Sequence, residues 1–227
     1  MYRRLLTLCA LALVTGCTAG PRPVPSKLTP QERLAFCEEA TLGAKAVGSF
    51  QIDAEGAHLA HLTGTLELTG SNALQIGAEG KFDREDVRLD LESMRGDINR
   101  SLTRGSAFNS HNRAAAPALK EAVVLGLVRM GLLHSLAELA GDADLSLIDG
   151  GARESIKTLE VKEAGAEEVD SEPCHRLDYS LLVNDRTRGD ATLCISDLTG
   201  LPLQRRLVVH FDQGDMTDVE HFKWKLK

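Results

Sequence analysis

Residues 118–140, Ala-Leu-Lys-Glu-Ala-Val-Val-Leu-Gly-Leu-Val-Arg-Met-Gly-Leu-Leu-His-Ser-Leu-Ala-Glu-Leu-Ala, set the strongest constraint on what this chain can fold into. On a helical wheel Val123, Val124, Leu125, Leu127, Val128, Met130, Leu132, Leu133, Leu136 and Leu139 fall at nearly every angle, and a helix apolar all round is buried or membrane-embedded. Arg129 at its centre costs about 2.5–3.5 kcal/mol in a bilayer, with Lys120, Glu121 and His134 adding to that, which argues against a membrane span. A sheet face covers only one stripe of a helix. The other stripe therefore needs a second apolar surface: the first helix, more protein, or a ligand. Gly126 and Gly131 permit close approach to protein, or widen the room for an acyl chain.

The flanking chain has another period. From Ser49 to about Thr103, Leu62, Gly64, Leu66 and Leu68 alternate with Thr63, Thr65, Glu67 and Thr69, while Val87, Leu89 and Leu91 alternate with Arg88, Asp90 and Glu92. This is the pattern of half-buried antiparallel strands, and short turns at Gly70-Ser71-Asn72 and Gly80 favour a meander. A polar loop, Arg104 to Arg113, leads into the apolar helix, and strands resume near Ser155, with Leu177, Tyr179, Leu181 and Val183 and later Leu207, Val209 and Phe211 on one face. The final Phe222-Lys-Trp-Lys-Leu-Lys227 reads as a lysine-protected sheet edge. Upstream, Thr29-Pro30-Gln31-Glu32 predicts a capped helix running to about Lys45. The order helix, strands, long helix, strands predicts an α+β fold: a curved antiparallel sheet with an N-terminal helix and the long apolar helix on its concave face.

Residues 1–16 have a short basic start and an apolar run too short to span a bilayer, the mark of an export signal. Val14-Thr15-Gly16-Cys17 resembles the lipobox of bacterial lipoproteins, which implies cleavage before Cys17 and its acylation, with Thr18 pointing to the outer membrane facing the periplasm. Residues 17–28 then form the lipidated cysteine and a Pro-rich stalk, and 29–227 one domain. Losing Arg3 and Arg4 leaves 24 of 26 basic residues against 33 acidic ones and moves the net charge from −7 to −9, so nucleic acid is not an expected partner. Three cysteines remain in an oxidising compartment. Cys174 and Cys194 share a strand parity, opposite the apolar set. They pair if their hairpin turns near Asn184-Asp185, and lie out of register if it turns near Thr187.

Catalytic signatures are weak. His58 and His61, three apart on an extended chain, point to opposite faces rather than to a shared metal. Ser110-His111 lacks the strand–turn–helix elbow of a serine nucleophile, and the Glu38-Glu39 and Glu167-Glu168 pairs read as solvated faces. No phosphate loop, Cys-x-x-Cys or His-Glu-x-x-His is present, so neither cofactor nor enzymatic activity is expected.

Cys174 to Val183 and Ala191 to Arg206, including Asp197-Leu-Thr-Gly-Leu-Pro-Leu203, resemble the hairpin and turn of the periplasmic lipoprotein-carrier superfamily of LolA, LolB and RseB type, and Gly64–Leu68 with Val87–Leu91 resemble its early strands. The resemblance implies a half-open barrel holding acyl chains between sheet and helices. The expected function is binding of a lipid or lipoprotein acyl group without chemistry, lined by Val124, Leu127, Met130, Leu132 and Leu136. Arg129 or His134 contact a headgroup if they reach the cavity mouth; otherwise Arg129 pairs with an acid at the rim of the core. The alternative is a sensor or interaction protein of the same fold with a filled core.

Overall fold

The computed structural model describes residues 24–25, 27–69, 73–94, 96–114, 119–141, 156–183 and 186–227. The export segment, Cys17, most of the stalk, Ala118 and the turns at 70–72 and 184–185 lie outside the described residues. Helix α1 (Pro30–Gly43) starts on the expected capping box, with Thr29 accepting from the Glu32 amide at 3.3 Å and Glu32 accepting from the Thr29 amide at 2.8 Å. Six strands follow: β1 (Ala46–Gly56), β2 (Ala60–Thr69), β3 (Ala73–Phe82), β4 (Glu85–Met94), β5 (Asp97–Arg104) and β6 (Ala107–Ala114). A helical crossover then leads to β7 (Ile156–Val169), β8 (Glu172–Val183), β9 (Arg186–Ser196), β10 (Pro202–Phe211) and β11 (Gly214–Leu226).

All eleven strands form one antiparallel sheet ordered β6-β5-β4-β3-β2-β1-β11-β10-β9-β8-β7. Two meanders are thus zipped together by the pairing of β1 with β11, from Ala46↔Leu226 to Gly56↔Met216. The sheet is open, with β6 and β7 as its edges, and the helical crossover links those two edges across the inner face. No described helix is long and apolar enough to cross a membrane.

Four expectations are corrected. Gly80 lies inside β3, paired with Leu62 and Val87, and the chain turns instead at Asp83-Arg84. The lysine-lined terminal strand is central rather than an edge: β11 lies between β1 and β10, and Lys223 and Lys225 project from its exposed face. The polar segment after Arg104 is a strand, turning through Gly105 at φ 55° and pairing with β5 from Arg104↔Ala107 to Asp97↔Ala114. An edge strand pairs its backbone on one side only, so β6 forms without an apolar alternation to announce it. The single long helix is three pieces: α2 (Leu119–Leu125), a π-helical turn at Gly126–Met130, and α3 (Leu132–Ala140), broken at Gly131.

The expected turn after β9 is present. Gly200 sits at φ 74°, and the Ser196 hydroxyl accepts from the amides of Leu198 and Thr199 at 3.1 and 3.0 Å. A Cβ on Gly200 would come within 2.5 Å of the Phe36 ring, so the turn is also the seat of α1. On the other half of the sheet Gly64 admits no side chain: a Cβ there would be 2.0 Å from the Gly77 carbonyl oxygen and 2.4 Å from the Phe50 ring. Gly77 is roomier, with its nearest contact at 3.6 Å. Gly64→Ala is expected to destabilise the protein by about 2 kcal/mol through overpacking, whereas Gly77→Ala stays within about 0.5 kcal/mol, as denaturant melts of the two variants would measure.

Candidate functional site between the sheet and the helical crossover

The crossover is apolar on two sides because it packs on two surfaces. Leu119, Val123, Leu127, Leu132, Leu133, Leu136 and Leu139 enter one cluster with Phe50 and Ile52 of β1, Leu62, Leu66 and Leu68 of β2, Leu74 and Ile76 of β3, Leu89 and Leu91 of β4 and Ile98 of β5. Val124, Val128 and Met130 enter a second with Leu34 and Cys37 of α1 and with Leu177, Tyr179, Leu181, Leu193, Ile195 and Leu207 of β8 to β10. The expected ligand-lining residues divide between the two: Leu127, Leu132 and Leu136 face the first meander, Val124 and Met130 the second. None is more than 4% exposed.

The break at the middle of the crossover leaves backbone groups that a continuous helix would satisfy. Gly131, at φ 108° and ψ 141°, donates to the Gly126 carbonyl at 2.7 Å, closing the π turn. The guanidinium of Arg205 donates to the carbonyls of Gly126 and Leu127, and the Tyr179 hydroxyl to those of Val128 and Arg129 at 2.8 and 3.2 Å. On the far side of the break, Glu220 Oε1 accepts from the amide of Leu133 at 2.8 Å, placing a carboxylate at the start of α3 where the helix dipole favours it. Arg205 and Glu220 are register partners on β10 and β11, with Nε 3.5 Å from Oε2, and both are fully buried. Asp218, 1% exposed, lies beside them. Burial first, and the negative charge of Glu220 second, push its carboxyl up to about 9, so it is held protonated at neutral pH. A Cβ on Gly131 would stand 3.2 Å from both carboxylates, which adds a steric reason for glycine to its positive φ.

Further cations tie down the rest of the crossover. Lys120 Nζ donates to the Leu42 carbonyl near the end of α1 at 2.6 Å, and Arg100 of β5 donates to the carbonyls of Leu139, Ala140 and Gly141 at 2.7–3.1 Å, capping the end of α3. Arg129 grips Glu38 with Nε–Oε1 at 2.5 Å and Nη2–Oε2 at 2.9 Å, and donates to the Ile156 carbonyl at 2.6 Å. It therefore pairs with an acid at the rim of the core. This corrects Glu38, which is 4% exposed and no part of a solvated face. His134 is on the exposed side, 3.8 Å from Glu138.

Arg205, Asp218, Glu220, Tyr179 and Arg100 are the polar residues that sequence reasoning missed as parts of the site. A signal existed: Arg205 has the strand parity of Leu207 and Val209, and Asp218 and Glu220 that of Met216 and Phe222. Ionisable groups on inward positions require buried partners, and the broken helix supplies them for Arg205 and Glu220, while Asp218 lies against Glu220.

The other candidates stand apart. His58 lies 2.9 Å from Asp83 and stacks on Phe82, whereas His61 contacts Asp53 at 2.5 Å, so the two imidazoles serve different carboxylates. Ser110 and His111 are on the edge strand β6, where with Gln75, Ile76, Asp90, Leu91, Glu92 and Asn99 they line a groove of about 460 Å³ of mixed polarity. Cys174 and Cys194 are not direct register partners, since Cys174 opposes Ser196 and Cys194 opposes Arg176. Their sulfurs nonetheless meet diagonally at 2.6 Å.

A carboxyl whose folded pKa is raised contributes stability that is complete below the ordinary Asp value near 3.9 and is lost as pH climbs towards 9. Asp218→Asn keeps the neutral polar group and removes that titration. Its stability relative to the parent is expected to rise between pH 5 and 8 by up to about 1.4 kcal/mol per unit, measured by denaturant melts at each pH. Gly131→Ala should cost about 1–3 kcal/mol from its positive φ and its approach to Asp218 and Glu220.

No family model and no curated protein matches the chain. Among solved structures it is similar to LprF from Mycobacterium bovis (15% identity, 90% of this chain and 95% of that one, TM-score 0.48). It is also similar to the lipoprotein LppX from Mycobacterium tuberculosis (10% identity, 86% and 94%, TM-score 0.47) and to a LolA superfamily protein from Nitrosomonas europaea (11% identity, 88% and 94%, TM-score 0.31).

Proposed function

We propose that this protein is an envelope lipoprotein, anchored through acylated Cys17 at the outer membrane and facing the periplasm, that binds a lipid or a lipoprotein acyl chain without chemistry between its sheet and its helical crossover. The observation that carries the reading is how the crossover is attached. Its polar anchors sit at the two ends, at the Arg129–Glu38 pair and at the break, whereas the surface facing β1 to β5 is aliphatic along Leu127, Leu132, Leu136 and Leu139. An acyl chain entering there exchanges one apolar contact for another at roughly 25 cal/mol per Å², between the polar anchors rather than through them. Leu127, Leu132 and Leu136 are the residues we assign to the chain, with Val124 and Met130 on the opposite face. His134, exposed on α3, is the more available headgroup contact, because the Arg129 guanidinium is engaged by Glu38.

A second reading is an interaction protein of the same fold whose core holds no ligand. The packing of Val124, Val128 and Met130 against α1, β8 and β9 favours it, because protein already covers that half of the crossover.

Native mass spectrometry of the protein purified without solvent extraction separates the two. Lipid-sized mass increments that disappear on extraction and return with phosphatidylethanolamine vesicles are expected, and Leu127→Asp should abolish their return. A stripped protein that takes up no lipid would sink the carrier reading in favour of the second. Independently, Cys17→Ser should move the protein from the membrane fraction to the soluble fraction of lysed cells.

A further inference from the structure

Of the Glu167-Glu168 pair, only Glu168 meets the expectation of a solvated face. Glu167 on β7 lies across from Cys174 on β8, its Oε1 accepts from the Cys194 thiol at 2.8 Å, and its Oε2 takes Arg176 at 3.2 Å. The two sulfurs are buried on the strand parity opposite Leu177 and Leu193, packed with Leu203 and flanked by Val169 and Trp224. At 2.6 Å they are about half an ångström beyond the S–S bond length of about 2.05 Å, so a bond can close by side-chain adjustment alone.

We propose that Cys174, Cys194 and Glu167 form a redox modification site, in which the buried dithiol closes to a disulfide and the Glu167 carboxylate accepts the Cys194 proton. The thiolate, not the thiol, is the nucleophile. Burial raises both thiols above their ordinary range, Cys194 the further, so neither ionises without a nearby acceptor. The carboxylate within hydrogen-bond reach of Cys194 is Glu167, about one-third exposed and able to pass the proton to water. The Cys194 thiolate attacks a low-molecular-weight disulfide and expels one thiolate; Cys174 then gives up its proton, attacks Cys194 Sγ and expels the second. Two protein thiols are oxidised and one small disulfide is reduced to two thiols. The oxidant reaches Cys194 past Glu167 of β7, which among the described residues is an edge strand whose ladder with β8 is interrupted twice, at Leu159/Lys162 and Glu163/Gly165. Cys37 stays out, because on α1 it is buried in the cluster with Leu34 and Leu177, and its thiol is pushed up to about 12. Occurrence of the bond in the cell rests on the envelope location proposed above, since a reducing cytosol opens such bonds; the chemistry of the site does not.

The test is oxidation of the reduced, full chain with oxidised glutathione, followed by alkylation and peptide mapping. The expected result is one crosslinked peptide pair containing Cys174 and Cys194, loss of two alkylatable thiols out of the three at 37, 174 and 194, and a melting temperature that rises on oxidation. Glu167→Gln should slow closure at least about tenfold at neutral pH and move the pH–rate profile to higher pH, with Glu167→Asp restoring much of it. Cys174 and Cys194 both still alkylatable after oxidation, a bond through Cys37, or zinc retained by Glu167, Cys174 and Cys194 that blocks oxidation would each overturn the proposal. So would an unchanged rate and pH profile in Glu167→Gln, for the role given to that residue. Thiols trapped free in intact cells from a protein that closes in vitro would support the site and place the failure on the proposed location.

Discussion

The ion pair of Arg205 and Glu220, buried under a broken helix, is the interaction on which the rest of this structure depends. Two strands that pair in register, β10 and β11, each place a charge on the inner face, and together those charges satisfy both sides of the break at Gly131. Arg205 serves the carbonyls that the π turn frees, and Glu220 serves the Leu133 amide at the start of α3. Removing either partner would strand the other charge with no water to replace it, a loss typically of about 3–5 kcal/mol. Asp218 sits beside the pair as a neutral acid, which avoids placing a second negative charge against Glu220.

That local arrangement is tied to the topology. Because β1 and β11 pair at the centre, the chain has to travel from one sheet edge to the other between β6 and β7. The crossover therefore lies over both meanders and must be apolar on both sides. Its middle passes over the strands β10 and β11 that carry the buried charges, and the same passage holds the two meanders around one helical layer. Lys120, Arg100 and Arg129 repeat the device of Arg205: each points a cationic head at backbone carbonyls, and Arg129 adds a buried carboxylate.

Much of this was legible. The capping box at Thr29, the alternation in β2, β4, β8 and β10, the turn at Gly200 and the burial of residues 119–139 on two sides all follow from short-range patterns, because capping, strand parity and turn conformation depend on residues within a few positions. Most of the misses have one cause. Whether the last strand is an edge, whether Glu38 is solvated and where the long helix breaks each depend on partners 50 or more residues away in the chain or on the sheet order, whereas β6 is a local hairpin with β5 that its polar side chains concealed. Arg205, Asp218 and Glu220 were half-legible, since their parity put charges on an inward face without naming what would receive them.

By itself, then, the sequence determined the alternating strands, the cap at Thr29, the turn at Gly200, and the requirement that residues 119–139 be covered on two sides, because these rest on local geometry and on the transfer of apolar side chains out of water. Only the tertiary structure decided what covers them, that β11 lies at the centre of the sheet, and that a buried arginine and two acids meet at Gly131. Those outcomes depend on which distant strands pair, and strand parity is blind to the identity of a neighbour.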